Sequence, residues 1–387
     1  MANTLTNLIP DFYTALDVVS RERVGFIQAV SRDSSADSAA LNQTLRIPVA
    51  PAASATFSIS PAMSLPSAAD QTIGNVSFTI TKVKASAFSW SSEEIKSVNA
   101  GPGFLTIQQN EIAQAIRLLV NEMETDIATA AYKGASRAYG TAATTPFGTA
   151  GDYSDAAQLR KILDDNGAPS SDRTIVLNTS AGANIRAKQA QAYMAGSNDL
   201  QRSGVLFDIS GFSFRESAQV QTVTAGAMAS ATTSAAALTV GQTVLPLATA
   251  GTGVVAAGDI ITLANDSNKY VVSAVSFAGS NPASGDSITI AAPGLRVAQS
   301  SAARAITVVA TSARNIGLSR NAILLGTRLP AVIGTDLADD RMTVVDPISG
   351  ISMELAHYPG FRMGVYHLSC AWGVSVIKPE HCAVLLG

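Results

Sequence analysis

The strongest constraint in this sequence is one long helical repeat. Ile112, Ile116, Leu119, Val120, Met123, Ile127, Ala130 and Ala131 recur at helical spacing up to Gly134, behind the capping-box pattern Thr106-x-x-Gln109. At 1.5 Å per residue, about 27 residues make a rod of roughly 40 Å. Such a rod is a spine across a flat domain, and the remaining elements have to be arranged along it.

Ahead of the rod, residues 1–35 read as an arm with one short helix. Pro10 suits a first helical position, and Phe12, Leu16 and Val19 share one face, which needs a surface to lie on. Residues 36–90 hold two extended runs, Thr44 to Ala50 and Val76 to Ala85, flanking a stretch with Pro51, Pro61 and Pro66 that no helix tolerates. The pattern is a long hairpin, and periodicity leaves open whether it projects or packs flat. Ser91 and Glu94 form a second capping box at the head of the 91–150 segment.

Behind the rod the pattern becomes α/β. A helix over 154–166 has Ser154 as its cap, Leu159, Ile162 and Leu163 facing inward, and Asn166-Gly-Ala-Pro169 as its stop. Thr174 to Asn178 is a buried strand, and a helix from Ser180 to Ala195 is closed by Gly196. From 224 to 310 short β-rich runs recur: Ala237 to Val240, Asp259 to Ala264, Lys269 to Phe277, Asp286 to Ala291 and Ala305 to Ala310. They point to a small β barrel or sandwich inserted into an α+β body. Leu318 to Leu329 reads as helix, and 341–387 returns to strands, with Asp346-Pro-Ile-Ser-Gly350 as a turn.

Composition narrows the function. Charged residues make up 14% of the 387, the apolar share is 47% and the net charge is −3. That is well under the usual quarter of charged residues, so a monomer's surface is bland and better suited to being covered by neighbours. The charge also excludes the basic footprint of a protein that grips many phosphates. The opening residues carry no secretory pattern, and the uncharged stretch 217–258 is too broken by Gly, Pro, Ser and Thr to span a bilayer. Two cysteines, Cys370 and Cys382, form no disulfide framework and fit a reducing compartment. The Asn-x-Ser/Thr matches at Asn42, Asn75, Asn178 and Asn265 then have no glycosylation route.

Catalytic patterns are weak throughout. No Gly-Lys dipeptide exists for a phosphate loop, and Gly251-Thr-Gly253 runs into β-branched residues instead of opening a helix, so it reads as a turn. Near misses of the nucleophile elbow at Ser136, Ser213 and Ser319 lack the closing Gly. His367, Cys370, His381 and Cys382 invite a zinc reading, but a period-two strand sends His367 and Cys370 to opposite faces, which favours core and edge roles. His357 completes the histidines. Asp336, Asp339, Asp340 and Asp346 lack the alternate spacing of a calcium loop, and adjacent Glu93 and Glu94 do not face one substrate. No catalytic residue, cofactor or metal is therefore expected. Lys82 and Lys84 emerge on one face of the hairpin, where they either pair with acids across a subunit boundary or stay solvated.

The order of these pieces resembles the major coat proteins of tailed phages, those with the Hong Kong ninety-seven capsid fold, and most closely the insertion-bearing P-twenty-two type. The residues carrying this are Asn7-Leu-Ile-Pro-Asp11, Ala15-Leu-Asp-Val-Val-Ser-Arg21 and Val30-Ser-Arg-Asp33 in the arm. Along the spine they are Asn121-Glu-Met-Glu-Thr-Asp126 and Ala135-Ser-Arg-Ala138, then Pro146-Phe147, Ile162 through Pro169 and Val176-Leu-Asn-Thr179. Gly258-Asp259, Lys269-Tyr-Val-Val272, Ala371-Trp-Gly373 and Lys378-Pro-Glu-His381 complete the set.

The resemblance implies an α+β capsid fold. Residues 1–35 would be the N-terminal arm, 36–90 the extended E-loop hairpin and 91–150 a peripheral domain with the spine helix. The axial lobe would take 151–223 and 311–335, the inserted β barrel 224–310, and the returning peripheral strands 336–387. It further implies a virion protein, assembled in a host bacterial cytoplasm into hexamers and pentamers of itself, with a scaffolding protein, a portal protein and enclosed double-stranded DNA as partners and no membrane. Phe12, Leu16, Val19, Lys82 and Lys84 are the candidate interface residues, and covalent cross-linking through Lys82 or Lys84 is not expected because no matching Asn and acid constellation is seen. Asp11 and Asp17, on the exposed side of the arm helix, are the candidate scaffold contacts. The competing classes are a secreted surface-layer or adhesin-like protein and an α/β enzyme.

Overall fold

Three acids on one helix, Glu122, Glu124 and Asp126, point in two directions and hold the protein together from both sides. In the computed structural model, residues 20–49, 74–98, 103–149, 151–188, 206, 208–334 and 336–387 are described. Phe26–Ala29 (α1) leads into Ser31–Ala39 (β1), Thr44–Val49 (β2), Gly74–Thr79 (β3) and Lys82–Ser91 (β4). Ser92–Val98 (α2) and the spine, Gly103–Gly134 (α3), follow, then Arg137–Tyr139 (β5), Ser154–Asp165 (α4), Arg173–Leu177 (β6) and Thr179–Lys188 (α5). Next come Ser213–Glu216 (β7), Thr222–Val223 (β8), Val244–Pro246 (β9), Ile260–Leu263 (β10), Lys269–Ser276 (β11), Ser287–Ile290 (β12) and Ile306–Val308 (β13). Ser312–Ser319 (β14), Ile323–Pro330 (β15), Asp340–Val345 (β16), Ser352–Gly360 (β17), Met363–Val376 (β18) and Cys382–Leu386 (β19) complete the fold.

The spine starts at Gly103, so Thr106 lies inside its first turns and is not its cap. Its apolar face, with Val120, Met123, Ile127 and Ala131, packs between two sheets, against Leu368 and Trp372 of one and Ile316 and Val384 of the other. The six-stranded sheet runs β1-β15-β18-β17-β16, and β4 also pairs with β18, from Met363↔Ser91 to Trp372↔Lys82. The eleven-stranded sheet follows the path β13-β10-β11-β5-β19-β14-β6-β7, which sets the late strand β19 between β5 and β14. Leu159 and Leu163 of α4, Ile175 of β6 and Leu385 of β19 form a second core over this sheet.

Local signals mostly act as expected. Ser91 and Glu94 make the reciprocal capping box, with Ser91 N–H donating to Glu94 at 2.8 Å and Glu94 N–H to the Ser91 hydroxyl at 3.2 Å. Asp346 closes its turn by accepting the Ser349 N–H at 2.9 Å, and Gly350 takes φ +69°. The cap of α4 differs: Ser154 is already helical, and its N–H is held at 2.8 Å by Asp152. Helix α5 is described to Lys188; the expected closure at Gly196 lies outside the described residues.

The helix expected over Leu318 to Leu329 is instead the end of β14, a single 3₁₀ turn at Arg320–Ala322 and β15. Side chains from Ile323 to Arg328 are buried without a break. A strand covered on both faces loses its polar alternation, so an apolar run of this kind has no period to distinguish it from a buried helix. Segment 311–335 thereby divides between the two sheets. Of the barrel runs, Ala237 to Val240 contributes only the isolated Leu238↔Gln299 bridge, and β9 forms a few residues later.

The hairpin is a two-stranded sheet of β2 and β3, paired from Thr44↔Thr79 to Val49↔Gly74. Its base is seated on the six-stranded sheet by Phe78 and Ile80, which are buried with Leu324 and Ala371. Two glycines make room for it. A Cβ on Gly326 would stand 2.3 Å from the Phe78 ring, and one on Gly373 would stand 2.1 Å from the Thr79 carbonyl oxygen.

Three outcomes follow for the isolated subunit. Glu124→Ala strands the buried N–H groups of residues 25–27 and the Ser217 hydroxyl, so denaturant unfolding should show a loss of about 3 kcal/mol. Gly326→Ala overpacks the hairpin base and should cost about 2 kcal/mol, and a double-mutant cycle should show that cost shrinking in a Phe78→Leu background. Hydrogen bonds from Arg117 hold the Glu22 carboxyl down at about 2 from its ordinary 4.5. A depressed carboxyl contributes stability that is complete above its unfolded pKa and disappears as pH falls toward 2, so Glu22→Gln should flatten the acid limb of a stability–pH curve.

Candidate functional site

Lys82 and Lys84, expected at a subunit boundary or in solvent, face the spine helix of their own chain. Lys82 Nζ donates to Glu122 and Asp126 at 2.8 Å each, and Lys84 Nζ lies 3.1 Å from Glu122. Acids at i and i+4 of a helix share a face, and lysines at i and i+2 of a strand do too, so β4 and α3 meet as matched rows. Burial opposes the Lys82 charge, but its hydrogen bonds to Asp126 and Glu122 outweigh this and raise its pKa. Burial likewise opposes the Glu122 charge, and the two lysines overcome it and lower its pKa. Asp126 also accepts Trp372 Nε1–H at 2.8 Å, which joins the cluster to β18.

The opposite side of the spine grips the N-terminal segment. Glu124 is fully buried and accepts N–H bonds from Gly25, Phe26 and Ile27 at 3.2, 3.1 and 2.6 Å, and the Ser217 hydroxyl at 2.7 Å. Burial raises its pKa against the pull of these donors. Two turns and one turn earlier, Arg117 and Asn121 donate to Glu22 at 2.7 and 2.8 Å. Sequence reasoning missed Glu124, although a signal existed: it falls between Val120, Ile127 and Ala131 on the apolar stripe, and an acid there must find donors. Phe12, Leu16, Val19, Asp11 and Asp17 lie outside the described residues.

The histidines and cysteines are not brought together as a ligand set. Cys370 is buried in β18 and Cys382 in β19, in different sheets, and burial pushes both thiols up to about 12. Among the described residues no three His, Cys, Asp or Glu side chains are grouped to hold a metal ion. The acids near 336–346 are separately engaged: Asp336 with Arg341 and the Tyr358 hydroxyl, Asp339 with His357, and Asp346 with Arg21 and Ser349. Gly251 and Gly253 have φ of +88° and +71° and flank Thr252, whose antiparallel bridge to Ala229 makes this an extended segment and not the expected turn.

A cleft of about 560 Å³ lies between Tyr139, Phe147, Asp155 and Lys269. Its charged groups are committed to backbone: Asp155 accepts the Phe147 N–H at 2.7 Å, and Lys269 Nζ donates to the Gly140 carbonyl. What the surface does offer is apolar area: Leu118, Ile333, Leu337, Met342 and Phe361 are all exposed. Among the described residues no helix is long and apolar enough to cross a membrane.

No protein-family model matches the sequence, and no curated protein does. Among solved structures the chain is similar to the capsid of the cyanophage P-SCSP1u, at 11% identity and a TM-score of 0.50, over 97% of this chain and 92% of that one. It is also similar to the capsid of a native GTA particle, at 11% identity and a TM-score of 0.49, over 98% and 95% of the two chains. A chain of Mycobacterium phage Che8 is 14% identical with a TM-score of 0.48, over 99% and 98%. The likeness to the cyanophage capsid is one of fold, and this chain has an α+β fold that resembles that of a phage capsid protein.

Proposed function

We propose that this chain is the major capsid protein of a tailed bacteriophage, tiling with copies of itself into an icosahedral shell around double-stranded DNA. The observation that carries the reading is the capsid fold extending over 97% of the chain. Supporting it are the low charged fraction of 14% and the large apolar side chains left exposed on the subunit. The role is geometric and not catalytic: the buried acids and cations described above are spent on joining elements.

In this reading copies form hexamers and pentamers in the host cytoplasm with the help of a scaffolding protein, and a portal protein occupies one vertex. The net charge of −3 suits a wall that encloses DNA without gripping it. The β-rich segment between β8 and β14 is the feature that favours the insertion-bearing P-twenty-two type within the family. Asp11 and Asp17 are the proposed scaffold contacts, to be tested by charge reversal at both and measurement of scaffold incorporation.

The full chain, purified and concentrated with and without a candidate scaffold, should give rings, sheets of rings or icosahedral particles by electron microscopy and a matching fast boundary in sedimentation. A monodisperse monomer at every concentration, scaffold present, would overturn the proposal.

A further inference from the structure

Two exposed features of the six-stranded sheet are complementary, and the charged group of each lacks an opposite charge among the described residues. The hairpin of β17 and β18 closes on the pair Gly360↔Met363, which leaves Phe361 and Arg362 as a two-residue loop. Phe361 is 93% exposed, more than any other large apolar residue described. Arg362 takes φ +54°, a left-handed conformation for which Asn or Gly is the unstrained choice in such a loop. A strained Arg beside a fully offered Phe is not what a solvated turn selects. The tip is also held, because the Arg362 carbonyl accepts the Ser92 N–H at 2.9 Å and the Ser92 hydroxyl at 3.2 Å. Its guanidinium makes no hydrogen bond or ion pair among the described residues.

The second feature is a groove of about 480 Å³ between β4 and α3, lined by Phe88, Ile107, Ala115 and Leu118, with Glu111 at its side. Leu118 is 62% exposed at its rim. Glu111 accepts Trp90 Nε1–H at 2.6 Å and meets no Lys or Arg among the described residues, so its partly buried carboxylate is open to a cation. Burial raises its pKa, with the Trp90 hydrogen bond opposing, as expected of an acid lacking a counter-charge.

We propose that the Phe361–Arg362 tip of one copy docks in the β4–α3 groove of a neighbouring copy, the phenyl ring against Phe88 and Leu118 and the guanidinium on Glu111. The inference rests on the self-assembly reading and names the surface that carries part of it. The exposure of Phe361 shows that the ring does not fill its own chain's groove, so the contact joins two different patches on two copies. A contact of that kind closes into rings or propagates as an array. Aromatic rings and arginines are also the side chains that dominate interface energetics, and an Arg on a carboxylate adds directional, charge-assisted hydrogen bonds.

Cysteine cross-linking tests it directly, since Cys370 and Cys382 are buried and do not compete. Co-assembled Phe361→Cys and Leu118→Cys chains, mildly oxidised, should give covalent dimers, and the double variant a ladder of higher species; a disulfide needs Cα atoms within about 7 Å, so the readout is local. Phe361→Ser, which alters only an exposed side chain, should lower the assembled fraction roughly tenfold at fixed concentration. Arg362→Glu should do the same, and combining it with Glu111→Arg should restore assembly. Normal particles from Phe361→Ser, together with no cross-link from the Phe361→Cys and Leu118→Cys pair, would overturn this contact while leaving the capsid reading intact. A cross-link from Leu118→Cys to Arg46→Cys on the hairpin would put a different segment in the groove and overturn it too. A wild-type chain that never assembles would instead fell the capsid reading itself.

Discussion

Glu124 is the point through which the two halves of the fold are tied. It is a carboxylate with no access to water, placed in the middle of the longest helix and surrounded on that helix by Val120, Met123 and Ile127. Such a group is tolerated only if donors saturate it. The donors come from residues 25–27 and from Ser217, two segments nearly two hundred residues apart in sequence, which also meet directly where the Ala218 N–H donates to the Arg23 carbonyl at 3.3 Å. Glu122 and Asp126, turned about half a revolution away, hold β4 by Lys82. The helix is therefore a double-sided rack: arm on one side, hairpin strand on the other, with spacing set by three acids within five positions.

Much of this was legible. The rod, the capping box at Ser91, the α4 stop at Asn166-Gly167, the buried run 174–177 and the turn closed by Asp346 all follow from local chemistry that needs no neighbours, and they stand in the structure. Failures occur where tertiary burial overrides local pattern. Leu318 to Leu329 is apolar on all sides because β15 is sandwiched, and no period survives to reveal a strand. The spine's start was misplaced because an internal Thr and Gln imitate a cap. The Lys82 and Lys84 pairing was invisible for a different reason: strand spacing gives the face on which two lysines emerge but not which element covers that face. Of the site, the sequence carried the residue types, and only the fold assigned their partners.

The β-rich segment from β9 to β13, expected to be an insertion, is less of a separate module than its sequence pattern implies. It has a core of its own around Leu245, Ile261, Tyr270 and Ile290. Yet β11 pairs directly with β5, at Lys269↔Ala138 and Tyr270↔Arg137, so the insert continues the body's sheet. Arg296 donates to the Asp165 carbonyl at 3.2 Å, and Arg137 to Asn268 at 3.2 Å, across the same seam. A backbone ladder resists shear better than a pair of tethers, and the insert inherits the orientation of the spine's C-terminal end.

The position of β19 governs the order in which the chain can be completed. Residues 382–386 sit inside the eleven-stranded sheet, parallel to β5 and antiparallel to β14. Strand β1, from the other extreme of the sequence, waits for β15 almost three hundred residues later. Contacts this distant are slow to find and unrewarded until both ends are present. During synthesis the face of the spine that β19 covers therefore stays open until residues 382–386 have been made, and a chain that stops short of them cannot close this core.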